Sequence, residues 1–330
     1  MKIDNSFLEE NNDFALSYLQ INQNIPLVIS PKSKTCISAV SPSLKTLVNR
    51  YLLTTGAILF RGFDVMGVDE FHQFTKDFSH PLLSYDFAST PRTRVAEGVY
   101  TSTEYPPHQS IPLHNEQSYT RDWPMKIWFY CAINAESGGA TPIADSRKVY
   151  QAIPSRIREQ FTNRGLMYVR NYGNGLDVPW TKVFNTDDRA VVEHYCRQHQ
   201  IQYKWLDDDS LRTYQVCQAV AQHPETREMV WFNQAHLFHI SALDSDLRET
   251  LLEVVSEENL PRNVYYGDGK PIEDYLLDEI REVLDDHKVV FPWKQGDVLM
   301  LDNMLTAHAR EPFKGSRRVV VAMAQAHGAI

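Results

Sequence analysis

The stretch GDVLMLDNMLTAHAREPFKGSRRVVVAM, residues 296–323, decides how this chain is read. Gly296-Asp297 marks a turn between β-like runs, and VLMLDN follows it as an apolar strand. His308 comes next. SRRVVVAMAQA, 316–326, is a last strand, with Arg317 and Arg318 at its mouth. A guanidinium at the mouth of a buried strand needs an anion, because an uncompensated buried charge is costly. A dicarboxylic compound would satisfy it through paired hydrogen bonds, and an internal salt bridge would do so equally well.

A second stretch bears on His308. SIPLHNEQSYT, 110–120, carries His114 and Glu116 on alternate residues. In a strand, residues i and i+2 share a face, so the imidazole and the carboxylate would stand side by side. A metal-binding helix would use i and i+4, as in HExxH, and that motif is absent. Two ligands on one strand need a third from elsewhere, and the 2-His-1-carboxylate set of ferrous oxygenases has this composition. A zinc deaminase reading would require a PCxxC partner, which the chain lacks. An HxE read in isolation is more often a core histidine beside a surface glutamate.

Helical signals lie around these β-like regions. SPSLKTLVNRYLLTTG, 41–56, opens on Ser-Pro and closes on Gly56, which predicts a helix. AILFRGF, 57–63, predicts a buried strand, and VDEFHQFTKDF, 68–78, a second helix. MKIWFYCAI, 125–133, is aromatic and β-branched, as strands prefer. SGGATPIADSRKVYQAIP, 137–154, predicts a Gly-Gly turn, a short strand and a helix starting at Asp145 or Ser146. RIREQFTNRG predicts a helix, GLMYVRNYG a strand, and 241–260 and 271–287 two more helices. The expected division is a peripheral segment over 1–35 and a single domain over 36–330, with a helical insertion around 180–287. The expected class is mainly β, a sandwich or barrel with helical insertions.

The totals narrow the function. The 330 residues include 33 Lys+Arg against 42 Asp+Glu, a net charge of -9, which argues against nucleic acid as the main partner. No apolar run approaches the roughly 20 residues that span a bilayer. Cys36, Cys131, Cys196 and Cys217 form no CxxC pair and predict reduced thiols. Together with an acidic N-terminus that lacks an apolar signal region, they predict a cytoplasmic protein.

TSTEYPPHQSIPLHNEQSY, GGATPIADSRKVY and GDVLMLDNMLTAHAREPFKGSRR together resemble the taurine dioxygenase-like family of Fe(II)/2-oxoglutarate dioxygenases. Within it they are most similar to the branch containing clavaminate synthase and the syringomycin-pathway aspartyl hydroxylase. The likeness runs in order over roughly residues 40–326. It implies a double-stranded β-helix, or jelly roll, of the clavaminate synthase-like kind. It implies Fe(2+) held by His114, Glu116 and His308, with glutamate where taurine dioxygenase has aspartate. It implies 2-oxoglutarate gripped by Thr141 and by Arg317 or Arg318, with Arg317 preferred because G-x-R is the recurring frame. A one-residue slip in register would reverse the face.

The same resemblance implies that O2 and 2-oxoglutarate are consumed, giving succinate and CO2 while a substrate C–H bond is oxidised. Glu116 fills the position that halide takes in the related halogenases, so hydroxylation is expected, with desaturation or cyclisation as alternatives. The branch acts on amino acids, free or tethered to a peptidyl carrier protein, and on related intermediates of secondary-metabolite (antibiotic) biosynthesis. VVVAM replaces the taurine enzyme's substrate arginine, which disfavours a sulfonate. Asn233 and His239, in MVWFNQAHLFH, are candidate substrate contacts, as are Tyr105 and Arg310. Asp302 and Asn303 are expected to support His308. His236 with His239 as a second metal pair is a poor alternative. Rival readings are a non-catalytic jelly-roll protein that binds a small acid and a zinc hydrolase.

Overall fold

The computed structural model describes residues 13–19, 24–84, 92–173, 175 and 178–328. Its centre is an eight-stranded major sheet. Across it the order is Phe14–Tyr18, Leu27–Pro31, Ala57–Phe60, Val298–Asp302, Asp122–Ile133, Arg318–Gly328, Val99–Thr101 and Arg94–Ala96. Neighbouring strands are antiparallel except Leu27–Pro31 with Ala57–Phe60. A three-stranded minor sheet, Ile111–His114, Thr306–Arg310 and Ile143–Asp145, carries the metal-type residues of the sequence.

The central strands of the major sheet carry long apolar runs because both faces are covered. Trp128, Tyr130, Val298, Met300, Val320 and Ala322 pack under the helices Ser41–Thr55 and Val68–Lys76. The alternate residues Ile127, Phe129, Cys131, Leu299, Leu301, Val319 and Val321 fill the interior, with Ile143 from the minor sheet. The first helix stops at Gly56, whose φ of 74° is the left-handed turn that glycine adopts without penalty. A Cβ there would meet Thr306 Oγ1 at 2.5 Å, so the same residue also lets helix and minor sheet approach closely.

Two expected divisions change. Residues 14–18 and 27–31 are not peripheral: Phe14–Tyr18 and Leu27–Pro31 are strands of the major sheet, and Phe14, Leu27 and Ile29 are buried. Their short apolar stretches lie between polar ones, which hid them from a periodicity reading. Residues 1–12, part of the same expected segment, fall outside the described residues. The 180–287 region is not a purely helical insertion. It contributes Gln202–Trp205, Leu211–Cys217 and Arg262–Tyr266 to a four-stranded side sheet built on Leu166–Tyr172, plus the hairpin Val220–Gln222 with Met229–Trp231. The helix expected over 241–260 is Ser245–Val254, flanked by single 3₁₀ turns.

Candidate active site

His114 ends the strand Ile111–His114, and His308 sits mid-strand in Thr306–Arg310. The two are direct partners across this antiparallel pair, with ring centroids 4.5 Å apart. Glu116 is not in the strand. It lies two residues past the strand end, in a turn, so the two-residue alternation of a strand does not aim it. Asn303 does: its Oδ1 accepts from Glu116 N at 2.8 Å, and its Nδ2 donates to Glu116 O at 2.9 Å and Pro124 O at 2.8 Å. His114, Glu116 and His308 each offer one ligand atom, and those atoms lie within 4.8 Å of one another.

The donor set fits a divalent iron. His114 Nδ1 is 2.8 Å from the Pro112 carbonyl, which fixes the proton on that nitrogen and leaves Nε2 bare. His308 points Nε2 inward, 3.9 Å from Glu116 Oε2. Desolvation pushes both imidazoles below their ordinary pKa, and for His308 the proximity of His114 adds to the shift. Both rings are therefore held neutral, the form that ligates.

Behind the strand, His236 Nε2 lies 2.8 Å from the Leu113 carbonyl. Burial takes the His236 pKa down to about 4, so the ring stays neutral and braces the metal strand. His236 and His239 do not form a metal pair: each is engaged with its own backbone or hydroxyl partner.

Two cavities meet at His114. The first, of about 400 Å³, runs between the two sheets past Phe129, Val319, Thr141 and Arg317. Arg317 donates from Nε to Gly139 O at 2.9 Å and reaches Thr141 Oγ1 from Nη2 at 3.4 Å. Thr141 Oγ1 also accepts from the buried Trp293 indole at 2.9 Å. Among the described residues Arg317 has no carboxylate partner, so the internal salt bridge allowed by the sequence is not made. Burial, and then repulsion from Arg310, push its pKa down to about 10, which leaves it charged at neutral pH. Gly139, at φ 71°, makes room for it: a Cβ there would stand 3.0 Å from Arg317 Cδ. Arg318 is corrected: it is exposed, beside an irregularity in strand pairing that turns it outward.

The second cavity, of about 740 Å³, opens on the other side of His114 and Glu116, and Tyr105, Tyr119, Gln234 and Arg262 are among its lining. Tyr105 lines this chamber and is exposed. The other substrate candidates are corrected. Asn233 is buried, donating to Ala219 O at 2.6 Å and accepting from Ala235 N at 3.0 Å. His239 bonds Ser241. Neither lines a cavity of the site. Their neighbour Gln234 reaches the chamber instead, and it also donates to Asn115 O at 2.8 Å. Arg310 lines the first cavity but spends its donors on Tyr105 O, Pro106 O and Gln109 O, so it braces the loop over the site. Asp302 does not support His308. It is fully buried, takes Lys126 Nζ at 2.8 Å, and caps the turn through Met304 N and Leu305 N.

Arg92 is the residue that sequence reasoning missed. Its Nη2 lies 2.7 Å from Glu116 Oε2, and the two side chains are 4% and 6% exposed. It lines both cavities. Nothing in PRTR, 91–94, marks it, since it comes from a loop before an edge strand and is aimed by tertiary packing.

Comparison with known proteins agrees with this geometry. The pattern of the family described as "Taurine catabolism dioxygenase TauD, TfdA family" matches residues 35–323. The dapdiamide synthesis protein DdaC of Enterobacter agglomerans is 42% identical over 276 residues, covering 84% of each chain. The clavaminate synthase-like protein At3g21360 of Arabidopsis thaliana is 32% identical over 318 residues, 90% of this chain and 93% of that one. A solved structure of PvcB, described as an Fe, alpha-ketoglutarate dependent oxygenase from an isonitrile synthetic pathway, superposes with a TM-score of 0.56. It covers 97% of this chain and 94% of that one at 16% identity, a likeness of fold. The chain thus belongs to the TauD/TfdA dioxygenase family and is an Fe(II)- and 2-oxoglutarate-dependent oxygenase with the jelly-roll fold.

Proposed function

We propose that this oxygenase hydroxylates an unactivated C–H bond of an amino acid, or of an amino-acid-derived intermediate of secondary-metabolite biosynthesis, free or carried on a peptidyl carrier protein. The observation that carries the reading is the convergence of His114, Glu116 and His308 between two cavities, one of them ending on the half-buried Arg317 guanidinium, which has no carboxylate partner among the described residues. The likeness to a dapdiamide synthesis protein supports the biosynthetic setting.

His114, Glu116 and His308 are the residues that would hold iron, which when bound supplies the O2 activation that couples 2-oxoglutarate decarboxylation to substrate oxidation. The rest is work for this chain's own residues. Pro112 O fixes the His114 tautomer, and Asn303 fixes the backbone of Glu116. Arg317 and Thr141 take the distal carboxylate of 2-oxoglutarate through charge-assisted hydrogen bonds. Phe129 and Val319 line that channel and limit water. Glu116, in the carboxylate position, keeps halide out of the ligand set and favours hydroxylation.

The test is succinate formation under ferrous iron with a panel of free amino acids, followed by aminoacyl carrier proteins. Succinate release stimulated by one substrate class is expected, with an oxygen atom gained in the product. A chlorinated product in the presence of chloride, or no stimulation by either class, would overturn the assignment.

A further inference from the structure

The larger chamber has a charge pattern that says what it takes. Among the described residues its lining contains two guanidiniums, Arg92 and Arg262, and one carboxylate, Glu116, which belongs to the candidate metal set. Arg262 opens the strand Arg262–Tyr266 and stands directly across from Arg170 of Leu166–Tyr172. Directly opposed residues project from the same face, and like charges placed so repel. Arg170 is buried and shares its face with Tyr168, two positions away, whose hydroxyl accepts from Gln234 N at 2.8 Å on the chamber wall.

The surroundings are aromatic. Phe238 lies 5.0 Å from both Tyr119 and Tyr168, and the Arg262 guanidinium is 5.7 Å from the Phe238 ring centre. A concentration of positive charge beside aromatic walls strengthens attraction for an anion, because little water screens it. The last strand carries no such cation, reading Val319-Val320-Val321 there. The anion-selecting charge has thus been placed on the side sheet, in the region inserted between the metal strands.

Resting on the oxygenase reading above, we propose that the substrate carries a free carboxylate and that Arg262, backed by Arg170, is the specificity-determining residue that receives it. Arg92 stays with Glu116 at the reacting end, where the pair carries no net charge.

The test is equilibrium binding to the full chain loaded with Mn(II) and N-oxalylglycine, so that the 2-oxoglutarate channel is filled. The probes are acid and amide pairs of equal shape in which the amide has no carboxylate: N-acetyl-L-alanine with N-acetyl-L-alaninamide, and N-acetyl-L-leucine with N-acetyl-L-leucinamide. At least one acid is expected to bind about 10-fold more tightly than its amide, as for a hydrogen-bonded charge. R262Q is expected to shrink that ratio below about 2-fold while the N-oxalylglycine affinity stays unchanged, which also shows that the variant folds. Acids no better than amides in the unmodified protein, no binding of any probe, or a preference that survives R262Q would each overturn the proposal. Failure of N-oxalylglycine itself to bind with Mn(II) would instead bring down the oxygenase-site reading, and this inference with it.

Discussion

The two cavities that meet at His114 were built by different means. The smaller one is walled in part by central strands of the jelly roll, and two of its polar residues, Thr141 and Arg317, lie close in sequence to strongly patterned segments. The larger one borrows Tyr119, Gln234, Phe238 and Arg262 from a turn, a short helix and a side sheet. On the reading proposed above, cosubstrate binding would sit on the central strands of the fold and substrate choice on the inserted region. Loops and insertions carried by a fixed scaffold are where specificity commonly resides.

The largest effect that would break this comparison is at the junction itself. H308A removes one of three ligands and is expected to abolish bound iron and lower 2-oxoglutarate turnover by at least about 1000-fold, checked by metal content and succinate yield. E116A should do the same and also lower stability, because it removes the carboxylate that lies 2.7 Å from the buried Arg92 guanidinium in the native chain. A thermal or denaturant melt of the metal-free protein isolates that second effect.

On the cosubstrate side, R317L should raise the KM for 2-oxoglutarate by about 100-fold, since a charge-assisted pair in a dry channel contributes about 3 kcal/mol. Metal affinity should stay unchanged. Equal losses of 2-oxoglutarate and metal binding would mean that Arg317 only props the fold.

N303A tests whether a positioning residue matters as much as a ligand. Losing its three bonds to Glu116 and Pro124 should weaken metal binding by about 10- to 100-fold. N303D should restore only part of it, because a carboxylate accepts from Glu116 N but cannot donate to the two carbonyls.

The smallest effects sharpen the contrast on the substrate side. N233A should cost about 1–3 kcal/mol of stability, from the unsatisfied Ala219 carbonyl and Ala235 amide, with no change in substrate preference. R318A should shift stability by no more than about 0.5 kcal/mol and leave the 2-oxoglutarate KM alone, as expected of an exposed side chain.

What could be read along the chain was local in origin. The Ser-Pro start and Gly56 stop of the first helix, the Asp145 cap that accepts from Arg147 N, and the strand at 125–133 all follow from rules that span a few residues. The first and last strands of the major sheet were unequal in this respect. VVVAM announced itself by an unbroken apolar run, while Phe14–Tyr18 was short and mixed and became a strand only because Leu27–Pro31 pairs with it. The candidate substrate residues went astray at 233 and 239 for a related reason. Polar residues interrupting an aromatic run mark a backbone that needs hydrogen bonds as readily as a pocket that needs contacts.

Sequence by itself supplied the candidate ligand types and the order HxE then His, the cosubstrate threonine and arginine candidates, and the apolar strands that carry them. Tertiary structure alone decided that His114 and His308 are register partners, that Arg317 rather than Arg318 faces inward, and that Arg92 meets Glu116. The physical reason is one of range. Hydrophobic period and capping are set by near neighbours, whereas strand pairing, bulges and the burial of a charge against its counter-charge depend on residues brought together from far along the chain.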